Sequence, residues 1–242
     1  MKLVPTPPIS EVHRDWVRKN VYGIVLVVLV FLIVSSSTLV GNRTGFLVID
    51  ILLFVVSLVI ARAFLWGRKK IFYLYVSGAL AISVLDAVTP YCFHGSHLYV
   101  VTAVTVVAYE VLVLTALAII INRILSERSV TPDVMFGGVC VYMLLGIVWF
   151  LIYEFIAVVD PVAFRTTNKL GYFELLYFSF NTLTTLGYGD IVPINKFAQA
   201  LCNLEAIAGQ MFPAIFISRL VSLYVVNESR VELPEDSDNI AD

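Results

Sequence analysis

The sequence predicts an all-α membrane protein with six transmembrane helices and one additional re-entrant helix. The first observation is composition: 60% of the 242 residues are hydrophobic and 14% are charged, and the mean hydropathy is +0.91. This exceeds what a soluble domain needs to fill its core. The second is a series of six long apolar stretches. The third is a short apolar segment, Phe173 to Thr184, between the last two stretches. It is too short to cross a bilayer, so we expect it to enter and leave on one side.

A helix needs roughly 20 apolar residues to cross a hydrocarbon core about 30 Å thick. The six predicted spans are Val21–Val40, Gly45–Trp66, Ile71–Phe93, Leu98–Ile121, Phe136–Val159 and Asn195–Val226. An alternative interpretation of the first run is a cleaved signal peptide, because the small residues Ser35-Ser36-Ser37 follow a stretch of suitable length. The run continues to Val40 after a long polar leader, which favours a retained span.

The distribution of Lys and Arg among the connections predicts the orientation. Twelve of these residues fall on the side of the amino terminus: Lys2, Arg14, Arg18, Lys19, Arg62, Arg68, Lys69, Lys70, Arg123, Arg128, Arg219 and Arg230. Four fall on the opposite side: Arg43, Arg165, Lys169 and Lys196. We therefore expect a multi-pass protein of the plasma membrane with both termini in the cytoplasm. The connection between the fifth and sixth spans then faces outward.

Composition divides the chain into three parts. Thr131-Pro132-Asp133 interrupts the helical pattern and predicts a linker followed by a helix start. Residues 1–134 are predicted to form a cytoplasmic leader and a four-helix bundle, and residues 135–227 a span, a re-entrant helix, a loop and a span. Residues 228–242 are acidic and polar and predict a disordered cytoplasmic tail. The net charge is −2 and the longest basic run is Arg68-Lys69-Lys70, so nucleic acid is not an expected partner.

The loop after the re-entrant helix contains alternating glycines. Its run is Thr185, Leu186, Gly187, Tyr188 and Gly189. Backbone outside a helix is tolerated at membrane depth only where it lines a cavity or is buried in protein. Glycine reaches positive φ, which lets successive carbonyls point the same way instead of alternating. Four such strands around an axis would form stacked rings of oxygen that replace the hydration shell of K⁺.

With Asp190, this run resembles the filter of the potassium channel family, which reads Thr-Val-Gly-Tyr-Gly-Asp. The resemblance covers roughly Phe136 to Tyr224. It implies a homotetramer in the lipid bilayer that conducts K⁺ passively, with a pore helix, a filter loop and no cofactor besides the permeant ion. It also implies that K⁺ is coordinated by the backbone carbonyls of Thr185, Leu186, Gly187 and Tyr188, with the Thr185 hydroxyl at the inner end. Leu186 stands where the family usually has Val, which bears on the rigidity of the filter.

The resemblance extends to residues around the filter. Asp190 is expected at the external mouth. Tyr177 and Phe178 occupy positions where related channels hold aromatics that pack around the filter, although ordinary buried aromatics would explain them equally well. Asn181 lies four residues before Thr185, where some relatives have a carboxylate that bonds to the aspartate at the mouth. We expect a weaker bond from the Asn181 amide to Asp190.

The sixth span resembles the pore-lining helix of the same family. Gly209 has the spacing of a hinge glycine, and close helix packing is the alternative explanation. Pro213 is expected to kink the helix. Gln210, Pro213, Ile217 and Val221 are expected to face the cavity and the inner gate.

Ionisable residues inside apolar spans are candidates for function, because charge is costly in a bilayer. Asp50, Asp86, Glu110 and Glu205 are four such candidates. Glu205 has no partner that the sequence identifies. The other three, with Arg62, are expected to hold the bundle together. Alternatively, these residues form a proton-sensitive element or are the remnant of a voltage sensor. The fourth span carries no array of basic residues, so steep voltage gating is not expected. The sequence does not identify the stimulus that opens the pore.

Other classes of protein fit the sequence less well. The residues His13, His94 and His97 include no plausible catalytic pairing with the cysteines, and no nucleophile motif or phosphate-binding loop occurs, so an enzyme is not expected. A secondary transporter would show internal repeats with paired broken helices. A weakly selective monovalent cation channel is the nearest alternative within transport.

Overall fold

The computed structural model describes residues 21–38, 51, 54–59, 69–92, 96–127, 129–167 and 169–231. Its elements are α1 (Val21–Thr38), α2 (Lys69–Cys92), α3 (Ser96–Ser126), α4 (Pro132–Val159), β1 (Phe164–Thr166), α5 (Tyr172–Leu183), β2 (Ile191–Pro193) and α6 (Lys196–Val231). Residues 54–59 are also helical. The helical membrane architecture that the sequence predicts is confirmed in its coarse form.

Within the described ranges, four helices are long and apolar enough to cross a membrane: α2, α3, α4 and α6. The first predicted span corresponds to α1, a shorter apolar helix. Most of the second predicted span, Gly45–Trp66, lies outside the described residues. Six crossings therefore stay a prediction.

The start of α4 follows from three consecutive residues. Thr131 has extended backbone and accepts a hydrogen bond at its side-chain oxygen from the Val134 amide, 3.3 Å away. Pro132 suits the first turn, where its missing N–H has no partner to lose, and Asp133 places negative charge at the positive end of the helix. The helix thus begins at Pro132, and the predicted boundary between residues 134 and 135 falls inside it.

α4 is the central helix of the described structure, and α1, α3, α5 and α6 all pack against it. Glycines permit two of these approaches. A Cβ added to Gly137 would lie 3.0 Å from Cδ1 of Ile124 on α3, and one added to Gly138 would overlap the ring of Phe216 on α6. The sequence predicted the helices but not this arrangement.

Two features differ from the prediction. β1 and β2 pair antiparallel, with Arg165 opposite Val192, and strands of three residues are too short for alternation to reveal them in the sequence. α6 continues to Val231, so the predicted disordered tail is wrong for residues 228–231. Extending a formed helix costs far less than starting one, which explains why polar residues continue it. Residues 232–242 lie outside the described residues.

Candidate functional site

α5 is the short helix that the sequence predicts between the last two spans. It contains 12 residues, and its observed bounds are one residue before the predicted Phe173–Thr184. Glu174 lies in its first turn, where negative charge complements the positive end of the helix. The opposite end leads through the capping residue Thr184 into the 185–189 segment. That end carries the partial negative charge of the helix.

The backbone of the 185–189 segment reverses the sign of φ at every second residue. φ is 59° at Thr185, 63° at Gly187 and 77° at Gly189. In a strand whose φ angles all have the same sign, successive carbonyls point to opposite sides. Because φ changes sign at alternate residues here, successive carbonyls can point to the same side. Thr185 has a Cβ, and this conformation costs such a residue roughly 1–2 kcal/mol. Strained residues of this kind cluster at functional sites, which makes this segment a candidate site.

The segment is anchored at its beginning by two backbone hydrogen bonds. The Thr185 amide donates to the Thr182 carbonyl at 2.9 Å, and the Leu186 amide donates to the Asn181 carbonyl at 2.9 Å. From the described residues, the carbonyls of the 185–189 segment accept no hydrogen bond. The whole segment is exposed in a single chain. These oxygens are therefore available as ligands for a cation.

The two predicted aromatic neighbours have different surroundings. The ring of Tyr177 stacks on that of Tyr188, with centroids 6.3 Å apart and planes 2° apart. Phe178 is buried instead among other rings, 5.1 Å from Tyr153 and 5.4 Å from Phe164 between centroids. Tyr177 thus lies beside the segment, whereas Phe178 packs in the core.

The predicted bond between Asn181 and Asp190 is not among the contacts of the described residues. The Asn181 side chain is buried, and its Oδ1 has no hydrogen-bond partner there. Asp190 interacts with the Tyr177 hydroxyl. The sequence could not decide whether Asn181 or Tyr177 pairs with Asp190, since this depends on the rotation of α5.

The end of α5 is held against two other helices through the Leu183 carbonyl. The Tyr142 hydroxyl of α4 donates to this oxygen at 3.2 Å. A Cβ added to Gly209 of α6 would overlap it. This contact supports the packing explanation of Gly209.

The predicted cavity-facing residues of α6 lie on its less buried side. Gln210 is exposed, Ile217 and Val221 are 58% and 57% exposed, and Pro213 is half-buried within an unbroken helix. Such a surface is available to a central cavity or to neighbouring copies of the chain.

Glu205 has partners that the sequence did not identify. It is fully buried. Its Oε2 accepts a hydrogen bond from the Tyr153 hydroxyl of α4 at 2.5 Å, and its Oε1 lies 2.7 Å from Ser179 Oγ of α5. Ser179 Oγ also lies 2.7 Å from the Gly146 carbonyl. The only signal in the sequence was the presence of polar residues within apolar stretches.

The exit of the 185–189 segment is tied back to the end of α4. The Ile194 amide donates to the Ala163 carbonyl at 2.7 Å, and Asn195 Nδ2 donates to Asp160 Oδ2 at 2.8 Å. Together with the β1–β2 pair, these bonds hold the exit of the 185–189 segment against the residues that follow α4.

Asp86 and Glu110, the described ionisable residues of the peripheral helices, have no described contact with Glu205. Thr105 donates to Asp86 at 3.1 Å, which links α2 to α3, while Glu110 Oε2 is buried without a hydrogen-bond partner among the described residues. Asp50 and Arg62 lie outside the described residues.

Arg219 links α6 to the end of α3, which the sequence did not predict. Its Nη2 donates to the carbonyls of Ile124 at 3.1 Å and Leu125 at 2.7 Å, and lies 3.4 Å from that of Glu127. The last carbonyls of a helix lack intrahelical partners, and a cation there is favourable.

Comparisons with known proteins concern this same region. Residues 134–226 match the model of a family described as ion channel. The chain is 33% identical over 91 residues to "Two pore potassium channel a" from Oryza sativa subsp. japonica. This match covers 38% of the chain and 24% of that relative, so the chain spans about a quarter of the relative's length. No solved structure matches.

Both matches are to ion channels, and neither points to an enzyme. Among the described residues, no group of three or more His, Cys, Asp or Glu side chains is placed to hold a metal ion. The candidate ligands for a cation in the 185–189 segment are its backbone carbonyl oxygens, because φ alternates in sign along this segment.

Proposed function

We propose that the protein is a potassium-selective channel in which residues 185–189 of four identical chains form the filter. The observation that carries the proposal is the reversal of φ at Thr185, Gly187 and Gly189 in a segment whose carbonyls accept no hydrogen bond from the described residues. Rings of carbonyl oxygen can replace the hydration shell of K⁺. The likeness to a protein named as a potassium channel supports the choice of ion.

The exposure of the segment in one chain supports assembly around an axis. Leu186 is 61% and Tyr188 68% exposed, which is unfavourable for a loop at membrane depth unless other copies surround it. A closed ring of four copies would cover these side chains and complete the coordination of the ion. The expected particle contains four chains of 26.9 kDa each, which mass photometry of the detergent-solubilised protein would measure.

The proposed location is the plasma membrane, with both termini in the cytoplasm and Asp190 at the outer mouth. Conduction is passive and without steep voltage dependence, because α3 carries its basic residue Arg123 only in its last turn. Moving one charge through 100 mV contributes about 2.3 kcal/mol, so a sensor needs several charges within the field.

The reversal potential tests selectivity directly. The purified protein is placed in a planar bilayer with K⁺ on one side and Na⁺ on the other, and a voltage ramp is applied. We expect reversal near the K⁺ limit and little dependence of open probability on voltage. Reversal near zero would instead identify a weakly selective monovalent cation channel, and absence of current would contradict the proposed function.

A matched pair of glycine variants tests the filter assignment. Gly187→Ala forces a side chain onto a residue with φ of 63°, whereas an added Cβ on Gly23 of α1 meets nothing within 4 Å. We expect Gly187→Ala to abolish K⁺ current in a correctly assembled protein, since the strain is roughly 1–2 kcal/mol in each chain. Gly23→Ala is expected to conduct normally. Normal selectivity in Gly187→Ala would exclude this segment as the filter.

A further inference from the structure

The buried cluster around Glu205 joins three helices behind the 185–189 segment. It contains Tyr153 and Gly146 on α4, Ser179 on α5 and Glu205 on α6. None of these side chains is placed to touch a permeant ion, because Tyr153, Ser179 and Glu205 are all fully buried within one chain. The cluster therefore acts through the position of the helices.

Counting hydrogens determines the charge of the cluster. Three oxygen–oxygen contacts require a hydrogen each: Tyr153 Oη to Glu205 Oε2 at 2.5 Å, Glu205 Oε1 to Ser179 Oγ at 2.7 Å, and Ser179 Oγ to the Gly146 carbonyl at 2.7 Å. The Tyr153 and Ser179 hydroxyls supply one hydrogen each, and a carbonyl supplies none. The third hydrogen has to reside on Glu205.

Only one assignment satisfies all three oxygen–oxygen contacts. Tyr153 donates to Oε2 of Glu205, the protonated Oε1 of Glu205 donates to Ser179, and Ser179 donates to the Gly146 carbonyl. An ionised Glu205 would leave one 2.7 Å contact between two acceptors without a hydrogen. It would also bury a charge that, within the described part of the chain, no Lys, Arg or His side chain contacts.

The cluster lies in register with the contact at the end of α5. Ser179 is one turn before Leu183 on α5, and Glu205 is one turn before Gly209 on α6. Ser179 contacts Glu205, and Leu183 meets Gly209. Two matched contacts one turn apart prevent the helices from sliding past each other. Because Thr185 follows Leu183 by two residues, this register sets where the 185–189 segment begins.

We propose that Glu205 is a positioning residue that acts as a neutral carboxylic acid and holds α5 in register with α4 and α6. Its role is to donate one hydrogen bond and accept another, not to supply charge. The expected effect on conduction rests on the proposed channel function. The protonated state of Glu205 does not depend on that function. The glutamine side chain has nearly the same shape, with an NH2 group that can donate to Ser179 and a carbonyl oxygen that can accept from Tyr153, so it can replace the acid.

The protonated acid has a spectroscopic signature that needs no ion current. The purified wild-type protein and Glu205→Gln are compared by infrared spectroscopy at neutral pH in lipid. We expect the difference spectrum to contain the C=O stretch of a protonated carboxylic acid in the wild type. A difference spectrum containing the carboxylate stretches instead would overturn the neutral acid, whatever the protein conducts.

Conduction tests the positioning role through rescue by the conservative variant. In planar bilayers, we expect the Na⁺/K⁺ permeability ratio of Glu205→Gln to stay within about twofold of the wild type, since the hydrogen bonds persist. We expect Ser179→Ala, which loses the link between α5 and α6, to raise the ratio on the order of tenfold. Ser77→Ala removes an exposed hydroxyl bonded within its own helix on α2 and serves as the control. Wild-type selectivity in Ser179→Ala would overturn the positioning role.

Glu205→Leu is a stricter test, and its assembly is checked by size-exclusion chromatography. If Glu205→Leu assembles, we expect it to lose selectivity. If it does not assemble, Ser179→Ala alone tests the positioning role. If Glu205→Gln loses selectivity as Glu205→Leu does, the carboxyl group is needed for its charge, and the proposal is wrong.

Discussion

The two halves of α6 are held in different ways. The amino-terminal half, which is the outer half in the proposed orientation, is fixed by buried contacts, since Glu205 bonds to α4 and α5 and Gly209 lies against the Leu183 carbonyl. The inner half is largely exposed in one chain, with Ile217 and Tyr224 58% and 60% exposed. Its described contacts include the ring of Phe216 at Gly138 and Arg219 at the end of α3.

In the proposed channel, this difference would separate two tasks along one helix. Hydrogen bonds that are satisfied away from water permit few alternative arrangements, which suits the support of a filter. Apolar contacts and one cation at a helix end permit movement at lower cost, which suits a gate. Arg219 is then the point where a rearrangement of the peripheral helices would reach the inner half of α6.

The largest expected effect is that of Gly209→Ala. Its Cβ would overlap backbone at Leu183, which cannot rotate away, so we expect destabilisation of about 1–3 kcal/mol per chain and loss of assembly. Thermal unfolding in detergent measures this. Gly78→Ala on α2 is the control, because its Cβ meets nothing within 4 Å and alanine favours a helix by about 1 kcal/mol. Unchanged stability with altered gating in Gly209→Ala would restore the hinge explanation.

A smaller effect is expected from Arg219→Gln. Removing the cation from the carbonyl end of α3 costs roughly 0.3–1 kcal/mol, which would shift the open–closed equilibrium by up to about fivefold. Single-channel recording measures the open probability, and selectivity should not change. Arg123→Gln removes a charge from the same region, where its side chain is 59% exposed and pairs with Glu127 at 3.2 Å, so little change is expected. Equal shifts in both variants would indicate net charge as the cause.

The smallest effect is expected from Thr105→Val in the peripheral helices. This change removes the hydrogen bond to Asp86, and such bonds between membrane helices contribute about 0.6 kcal/mol on average. We expect a slightly lower unfolding temperature and an unchanged reversal potential. A shifted reversal potential would show that the α2–α3 pair acts on the filter, and the division between supporting and peripheral regions would not hold.

Several parts of the molecule could be predicted from local sequence. The bounds of α5 differ by one residue from those predicted, because a short apolar run between long ones limits where a helix can lie. The positive φ at Gly187 and Gly189 agrees with the expected use of glycine. The positive φ at Thr185 was not expected, since threonine has no intrinsic preference for it. The roles of these residues in ion binding stay predictions until currents are measured.

The sequence by itself determined the membrane class, the approximate positions of the described helices and the conformational freedom of the 185–189 segment, because each depends on neighbours within one helix or one loop. Only the tertiary structure decided the partners. Glu205 meets residues 52 and 26 positions away, and Arg219 meets a carbonyl 94 positions away. Such pairs depend on the rotation and approach of whole helices, which glycines such as Gly138 and Gly209 permit. A local sequence pattern carries no information about the rotation of a helix or its distance from its neighbours.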